Sequence, residues 1–306
     1  MKQPNAISTT SLTKAYGGVQ ALRGIDLEVG QGEIFGFLGP NGAGKTTTIR
    51  CLLDLIRPTG GTIRVLGIDP QRDPVAVRAR TGYLPGELRL DDNLTAEQSL
   101  RFFAGLRGGG DDWSYVQRLA QRLDLDLKRQ VKNFSKGNKQ KVGVLQALMH
   151  RPDLLLLDEP TSGLDPLVQQ EVLGLISEAR ADGATVFFSS HVLSEVQSVA
   201  ERVAIIRQGH IVEVAETASL LRRAVRRVKV QFGRAVDAGS LALVPGVTLL
   251  GSADRTSTML QVEGEMDALI KALAAFPVSD FETERPSLEE IFLAYYEFDP
   301  VEEHAL

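Results

Sequence analysis

The chain has 306 residues, 43% hydrophobic and 24% charged, which is typical of a globular protein with one substantial core and room for a second small domain. Its net charge of −5 argues against a general attraction to nucleic acid, and no nucleic-acid partner is expected. The single cysteine, Cys51, excludes an internal disulfide. The polar start and the lack of a long apolar run predict a cytoplasmic protein, so another chain must cross any membrane at which it acts.

Apolar runs alternate with longer amphipathic stretches along most of the chain, a pattern that predicts an α/β fold. Buried strands are predicted at 33–39, 153–160, 184–191 and 202–209. Helices are predicted at 96–107, 113–123, 138–149, 166–181 and 192–200, with a surface loop at 106–112. Because ligands of open α/β sheets bind at the carboxyl ends of the strands, the residues that follow these strands are the first candidates for a site.

A second, small α+β domain is predicted after a boundary near 215–225, where a basic segment precedes a shorter period of alternation. We therefore assign residues 1–220 and 221–306 to two domains. The later strands are predicted at 227–233, 247–252, 257–263 and 278–284, and the helices at 237–243, 265–275 and 287–297. This β-α-β-β-α-β order, with an added helix, resembles a ferredoxin-like module.

The first strand leads into the sequence GPNGAGKTTT at 39–48, which satisfies the pattern G-x-x-x-x-G-K-[ST]. Glycines allow successive N–H groups to surround a phosphate, and the following helix directs its positive end at the same anion. The candidate phosphate-binding residues are Gly39, Pro40, Asn41, Gly42, Ala43, Gly44, Lys45, Thr46 and Thr47. Lys45 would neutralise the β and γ phosphates, and Thr46 would bind Mg²⁺. The structural alternative is an ordinary glycine turn before a helix.

Two adjacent carboxylates, Asp158 and Glu159, end the apolar sequence LLLL at 154–157. A buried strand would not end in two carboxylates unless something offset their desolvation, and Mg²⁺ would do so. Asp158 is therefore a candidate metal ligand, and Glu159 is a candidate base that polarises the attacking water. A solvated, acidic strand end is the alternative.

These motifs together resemble the nucleotide-binding subunits of ABC transporters over roughly residues 6–215. The further elements that carry the resemblance are NFSKGNKQK at 133–141 in place of the signature sequence, SGLDP at 162–166 as the D-loop, His191 as the switch histidine and Tyr16 as the adenine-stacking ring. The resemblance implies an ATPase in which ATP lies between two copies of the chain. One copy would supply Lys45 and Asp158, and the other would supply Ser135 and Gly137.

Three of these positions also have a purely structural interpretation. Ser135 is a favoured residue for capping a helix, although a capped helix N-terminus is itself a phosphate site. His191 could be a core or surface histidine, and as a catalytic residue its imidazole would donate to phosphate. Tyr16 could simply pack against its neighbours.

Two departures from the family pattern affect the expected chemistry. Gly86 stands where the family has its Q-loop glutamine, so the coupling between nucleotide and membrane partner is expected to use backbone atoms or Glu87. In the signature sequence, Lys136 and Asn138 replace glycine and glutamine. Since the phosphate loop and both carboxylates remain, we still expect hydrolysis.

The sequence is similar to the ATPases of bacterial drug and antibiotic exporters, both at 134–171 and in PSLEEIFLAYY at 286–296. The resemblance implies export of drugs, antibiotics or other hydrophobic compounds through a separate integral-membrane permease, with this chain at the cytoplasmic face of the inner or plasma membrane. The apolar surface expected to bind that permease contains Leu94, Leu100, Phe102, Phe103 and Leu106. The second domain is expected to support dimerisation, with an apolar stripe in 291–296 as a contact. The alternative is a self-contained cap on the ATPase domain, in which the stripe simply packs against the small sheet.

The alternatives are a soluble, non-transport ABC ATPase that acts on ribosomes or DNA, and a regulator that hydrolyses ATP poorly. The single phosphate loop and the absence of a heptad run disfavour the former. The intact Glu159 disfavours the latter.

Overall fold

The computed structural model describes residues 4–110, 112–223, 226–263 and 265–284. The chain divides into two compact units, Met1–Ala215 and Glu216–Leu306. Among the described residues, none of the helices combines the length and the apolar character that a membrane span requires. The predicted helix at 287–297 and the stripe in 291–296 lie outside the described residues.

The first unit is built from two sheets, seven α-helices and a short 3₁₀ helix at Val131–Asn133 among the described residues. Its strands are β1 (Asn5–Tyr16), β2 (Val19–Gly30), β3 (Ile34–Leu38), β4 (Gly60–Val65), β5 (Thr81–Leu84), β6 (Leu154–Asp158), β7 (Thr185–Ser190), β8 (Arg202–Arg207) and β9 (His210–Glu216). Its helices are α1 (Lys45–Leu52), α2 (Pro74–Ala79), α3 (Ala96–Leu106), α4 (Trp113–Arg122), α5 (Lys136–Leu148), α6 (Pro166–Ala181) and α7 (Leu193–Val199).

The larger sheet has the strand order β5-β6-β7-β3-β8-β9, and its first five strands are parallel. Every residue of β3, β6 and β7 is buried, which explains why these strands appear in the sequence as continuous apolar runs. In the register of the sheet, Asp158 at the end of β6 lies beside Ser189, and Leu38 at the end of β3 lies beside Ser190. The carboxyl ends of the three strands therefore meet at one edge.

A three-stranded antiparallel sheet, in the order β2-β1-β4, was missed by the sequence analysis. In β2 the buried residues Ile25, Leu27 and Val29 alternate with more exposed ones, because one face of the sheet is packed and the other is open. A search for continuous apolar runs finds fully buried parallel strands and passes over such alternating ones. The short elements β5, β9 and α2 were also missed.

Several predicted boundaries shift for a local reason. The helix predicted at 138–149 begins at Lys136, because Ser135 caps it by accepting a hydrogen bond from the Asn138 N–H at 3.2 Å. The strand predicted at 153–160 ends at Asp158, since Glu159 has a φ of 54°, outside the extended region. The helix at 166–181 lies where it was predicted, with Asp165 as its cap and Pro166 in its first turn.

The core of the first unit contains four fully buried aromatic rings, of which Phe35, Phe37 and Phe187 contact one another. The Phe187 ring stacks on Phe35 with the centroids 5.9 Å apart, and it contacts Phe37 at 5.2 Å. Both partners come from β3, the strand paired with β7. The buried rings thus hold β3 and β7 together, and the carboxyl ends of these two strands contribute to the edge described above.

The second unit contains helix α8 (Thr217–Arg223), strands β10 (Arg226–Phe232), β11 (Val247–Asp254), β12 (Ser257–Val262) and β13 (Val278–Glu284), and helix α9 (Asp267–Leu273). Its strands form an antiparallel sheet in the order β11-β12-β10-β13. The weak helix predicted at 237–243 is a 3₁₀ helix at Ala238–Leu243. The unit has its own core, in which Leu269 and Leu273 of α9 pack with buried sheet residues such as Val228 and Val230.

Replacing Phe187 with alanine should lower the free energy of unfolding of the first unit by about 3–5 kcal/mol, because it leaves a cavity between β7 and β3. Urea unfolding monitored by the fluorescence of Trp113, the one tryptophan in the sequence, measures this change. Phe102→Ala is the matched control, since that ring is 58% exposed and should cost no more than about 0.5 kcal/mol. Equal losses in the two variants would contradict the packing described here.

Candidate functional site

A glycine-containing turn, residues 39–44, joins β3 to α1. Gly42 and Gly44 have φ values of 80° and 114°, a region that side chains with a Cβ rarely adopt. A Cβ on Gly44 would also lie 2.9 Å from the Ala21 carbonyl oxygen. The glycines therefore allow the turn to place its N–H groups, and the N-terminus of α1, around one concave space.

Lys45, the first residue of α1, is only 6% exposed, and its ammonium group is held by the turn. Its Nζ donates to the Gly39 carbonyl at 2.6 Å and to the Pro40 carbonyl at 3.3 Å. It also forms an ion pair with Glu159 Oε1 at 3.1 Å. The cation is thus fixed between the glycine turn and the residue that follows β6.

Asp158 is almost fully buried, at 1% exposure, and both of its carboxylate oxygens accept a hydroxyl hydrogen bond. Thr46 Oγ1 donates to Oδ2 at 2.7 Å, and Ser189 Oγ donates to Oδ1 at 2.6 Å. A buried carboxylate requires such partners, because its desolvation is otherwise costly. The two bonds bring together the ends of β6 and β7 and the start of α1.

Glu159 connects Lys45 to His191. Its Oε1 pairs with Lys45, and its Oε2 lies 2.6 Å from His191 Nδ1. Its N–H donates to both the carbonyl and the hydroxyl oxygen of Ser189, each at 3.2 Å. Since His191 is half exposed and Glu159 mostly buried, the carboxylate lies at the boundary between the core and the concave space.

The concave space is a pocket of about 180 Å³. Its lining residues are Ala21, Pro40, Asn41, Gly42, Gly44, Lys45, Thr46, Thr47 and Glu159. Of the other candidates, Asp158 and His191 contact this group through Thr46 and Glu159. Gly39 contributes the carbonyl that holds Lys45, and the Ala43 carbonyl accepts from the Gly209 N–H at 2.9 Å.

Three further candidates from the sequence, Tyr16, Ser135 and Gly137, also lie outside the lining of this pocket. Tyr16, at the end of β1, is 47% exposed, with the Lys14 ammonium 4.9 Å from its ring centroid. Ser135 caps α5, and Gly137 lies in the first turn of that helix. A Cβ on Gly137 would lie 2.8 Å from the Gly163 carbonyl, so the signature turn packs closely against the D-loop of the same chain.

Gly86 lies directly beside the buried carboxylate. A Cβ at this position would be 2.9 Å from Asp158 Oδ2, the oxygen that accepts from Thr46. A larger side chain would displace either the carboxylate or the loop, since 2.9 Å is closer than real Cβ contacts. Glycine, which stands at position 86 in place of the family's glutamine, therefore suits the close packing against Asp158.

The sequence analysis missed two residues that contact the site. Ser189 binds both Asp158 and the Glu159 N–H, and Gln140 of α5 donates to the Glu159 and Pro160 carbonyl oxygens. The polar end of the run TVFFSS was a usable signal for Ser189, because parallel strands end at a common edge. No comparable sequence signal identifies Gln140, because its contacts depend on how α5 packs against the turn after β6.

Burial changes the acidity of two nearby groups. Burial raises the pKa of Cys51 to about 11, so this thiol in α1 stays protonated and is no nucleophile. Burial, and then the negative charge of Asp158, raise the pKa of Tyr83 in β5 above its ordinary value. Both groups therefore remain neutral at neutral pH.

The apolar surface predicted for a membrane partner is only partly exposed. Phe102 and Leu106 on α3 are 58% and 69% exposed. Leu100 is fully buried, so its assignment to that surface was wrong, because it faces inward on the amphipathic helix. Leu94 and Phe103 are partly buried.

Comparison with known proteins shows to which family the chain belongs. The sequence profile described as ABC transporter matches residues 22–162, which include the glycine turn and both carboxylates. The daunorubicin/doxorubicin resistance ATP-binding protein DrrA of Streptomyces peucetius is 34% identical over 305 residues, covering 94% of this chain and 92% of that protein. The chain belongs to the ABC transporter family. It is an ATP-binding subunit of that family and an ATPase.

Two further matches describe the ATP-binding part of this ABC subunit. The bacitracin transport ATP-binding protein BcrA of Enterococcus faecalis is 38% identical over 220 residues, or 71% of each chain. A solved ATP-binding subunit of an ABC transporter is 30% identical, with a TM-score of 0.64, and covers 71% of this chain and 92% of that one. The α/β fold predicted for the first unit is thereby confirmed.

Gly86→Ala should reduce the ATPase rate of the ABC subunit by about tenfold, because the added Cβ pushes the Asp158 carboxylate away from Thr46. The φ of Gly86 is not positive, so the backbone accepts alanine and only the side-chain contact is tested. Gly105→Ala in α3 is the matched control, since its Cβ would meet no atom within 4 Å. A Gly86→Ala protein as active as the control would contradict the steric account.

Proposed function

We propose that this ABC subunit powers the export of drugs, antibiotics or other hydrophobic compounds from a bacterial cell through a separate integral-membrane permease. The likeness to resistance and antibiotic-transport ATP-binding proteins supports export. The observation that carries the hydrolytic part is the contact chain from Lys45 through Glu159 to His191 beside the glycine turn. The proposed site of action is the cytoplasmic face of the inner or plasma membrane.

In the proposed complex, the phosphates of ATP bind in the pocket formed by residues 39–47. The N–H groups of the glycine turn and the N-terminus of α1 donate to the phosphate oxygens. Lys45 neutralises the β and γ phosphates, and its two carbonyl contacts keep the ammonium directed at the turn. Tyr16 would stack on the adenine, which its exposed ring at the end of β1 permits.

Thr46 and Asp158 are the proposed ligands for Mg²⁺. Thr46 Oγ1 and Asp158 Oδ2 are 2.7 Å apart at the N-terminus of α1. Mg²⁺ prefers oxygen ligands of this kind. The described residues contain no cluster of three or more His, Cys, Asp or Glu, which fits an ion held by one or two protein oxygens together with the substrate phosphates. When bound, Mg²⁺ neutralises charge on the β and γ phosphates. Ser189 keeps Asp158 oriented by its bond to the other oxygen.

Glu159 is the proposed general base, and His191 assists it. The Glu159 carboxylate lines the pocket and is oriented by Lys45 and His191, which contact its two oxygens. Phosphate oxygens compete with Glu159 for Lys45, so substrate binding frees one carboxylate oxygen to accept a proton from water. His191 then contacts the γ phosphate through its imidazole.

A second copy of the chain is the proposed source of Ser135 and Gly137. The N-terminus of α5 carries both residues, and its N–H groups suit the γ phosphate of an ATP held by the first copy. The absence of Ser135 and Gly137 from the lining of the pocket within one chain fits this arrangement. The support of dimerisation by residues 221–306 stays a prediction.

The second candidate is a soluble ABC ATPase or regulator that has no transport partner. The exposed apolar side chains Phe102 and Leu106 favour the exporter, because paired apolar groups on one helix face suit a protein interface.

Glu159→Gln should lower the steady-state ATPase rate by about 10²- to 10⁴-fold while nucleotide affinity is retained, since the variant loses the base but keeps the pocket. Lys45→Ala should instead weaken nucleotide binding. Phosphate release and the binding of a fluorescent ATP analogue measure the two effects. Unchanged hydrolysis by Glu159→Gln would remove Glu159 from its proposed role.

Phe102→Asp and Leu106→Asp should reduce co-purification with the cognate permease in detergent, because a charge prevents burial of the apolar α3 surface. The basal ATPase rate of the isolated subunit should not change. Val75→Asp is the matched control, as its side chain is 70% exposed on α2. Permease binding as strong as that of the control would show that the α3 surface is not the permease contact. Failure of the unchanged subunit to co-purify with any permease would argue for the candidate without a transport partner.

A further inference from the structure

Gln140 is a buried amide whose contacts lead to the proposed base. It lies in α5 and is 5% exposed. Its Nε2 donates to the Glu159 carbonyl at 3.0 Å and to the Pro160 carbonyl at 3.1 Å. Both hydrogens of the amide are therefore directed at the two peptide units that follow β6.

Those peptide units are held from several sides, and the Glu159 carbonyl also accepts from the Ser162 N–H at 3.1 Å. Glu159 has a φ of 54°, a left-handed conformation that is strained for a residue with a Cβ. Such a conformation persists when the surroundings hold it from several sides. On the amino side, the Glu159 N–H donates to Ser189. On the carboxyl side, Gln140 supplies the two side-chain donors described above.

The left-handed turn decides where the Glu159 carboxylate points. A relaxed, extended backbone at 159 would continue β6 and rotate the side chain away from its present partners, Lys45 and His191. The hydrogen bonds from Gln140 oppose that change without touching the carboxylate. They also come from α5, so the orientation of Glu159 depends on the position of the helix that Ser135 caps.

We propose that Gln140 is a positioning residue for ATP hydrolysis, which acts by holding the turn that aims the Glu159 carboxylate. This inference rests on the proposed role of Glu159 as the base. Gln140 is not among the residues that line the pocket proposed for the phosphates, so its removal should affect the chemical step and leave nucleotide binding in place. A residue that only stabilised the fold would not produce that separation.

The first test replaces Gln140 with leucine, which has a similar volume and no donor. We expect kcat to fall about 10- to 100-fold, as for a misplaced catalytic group, with KM for ATP within about twofold of wild type. Gln140→Glu is the second variant, which places a carboxylate against two carbonyl oxygens and should lower kcat at least as much. A kcat within about twofold of wild type in either variant would overturn the inference.

The second test is a double-mutant cycle with Glu159→Gln, followed by single-turnover hydrolysis. If Gln140 acts through Glu159, adding Gln140→Leu to Glu159→Gln should cost less than about a further twofold. Independent, multiplicative losses would overturn the inference. If Glu159→Gln alone hydrolyses ATP like wild type, the proposed function fails first; if only the Gln140 variants are unaffected, the positioning role alone fails.

Gln169→Leu is the matched control for removing a glutamine that donates to the backbone. Its Nε2 donates to the Leu164 carbonyl at 3.2 Å from α6, and it has no contact with Glu159. It should keep wild-type kcat. Urea midpoints from Trp113 fluorescence verify that all variants are folded at the assay condition, and the Gln140→Glu variant decides the result if Gln140→Leu does not fold.

Discussion

The site of this ABC subunit depends on a sheet in which β3, β6 and β7 are parallel and adjacent. Parallel strands end at the same edge, so the glycine turn after β3, the two carboxylates of β6 and the serines of β7 meet without any long-range adjustment. The burial of Phe35, Phe37 and Phe187 holds the strands in register. The core therefore determines the spacing of the polar groups above it.

The charged groups at that edge are paired with one another or with hydroxyl groups before any ligand is considered. Asp158 accepts two hydroxyl hydrogen bonds, and Glu159 is matched by Lys45 and His191. Because a buried carboxylate without partners is costly, this network both stabilises the edge and fixes its geometry. The same bonds that satisfy the side chains orient them for nucleotide chemistry.

The two units rely on different cores. The first is organised by a buried parallel sheet, and the second by one packed face of an antiparallel sheet covered by α9. The parallel sheet of the first unit is encoded by continuous apolar runs, whereas the antiparallel sheets of both units contain strands with alternating burial. The chemistry resides in the first unit, where the strand ends converge.

The glycine turn, the carboxylate pair and the long helices could be predicted from the sequence alone, since each depends on residues that are close together in the chain and have a fixed spacing. Alternating strands such as β2 escaped detection, because half-exposed strands lack a continuous apolar run. Three features became visible only in the folded chain: Gly86 lies against Asp158, Leu100 is buried, and Gln140 donates to the turn at Glu159. These facts depend on packing between residues far apart in the chain, and the local pattern carries no signal for the distance between such residues.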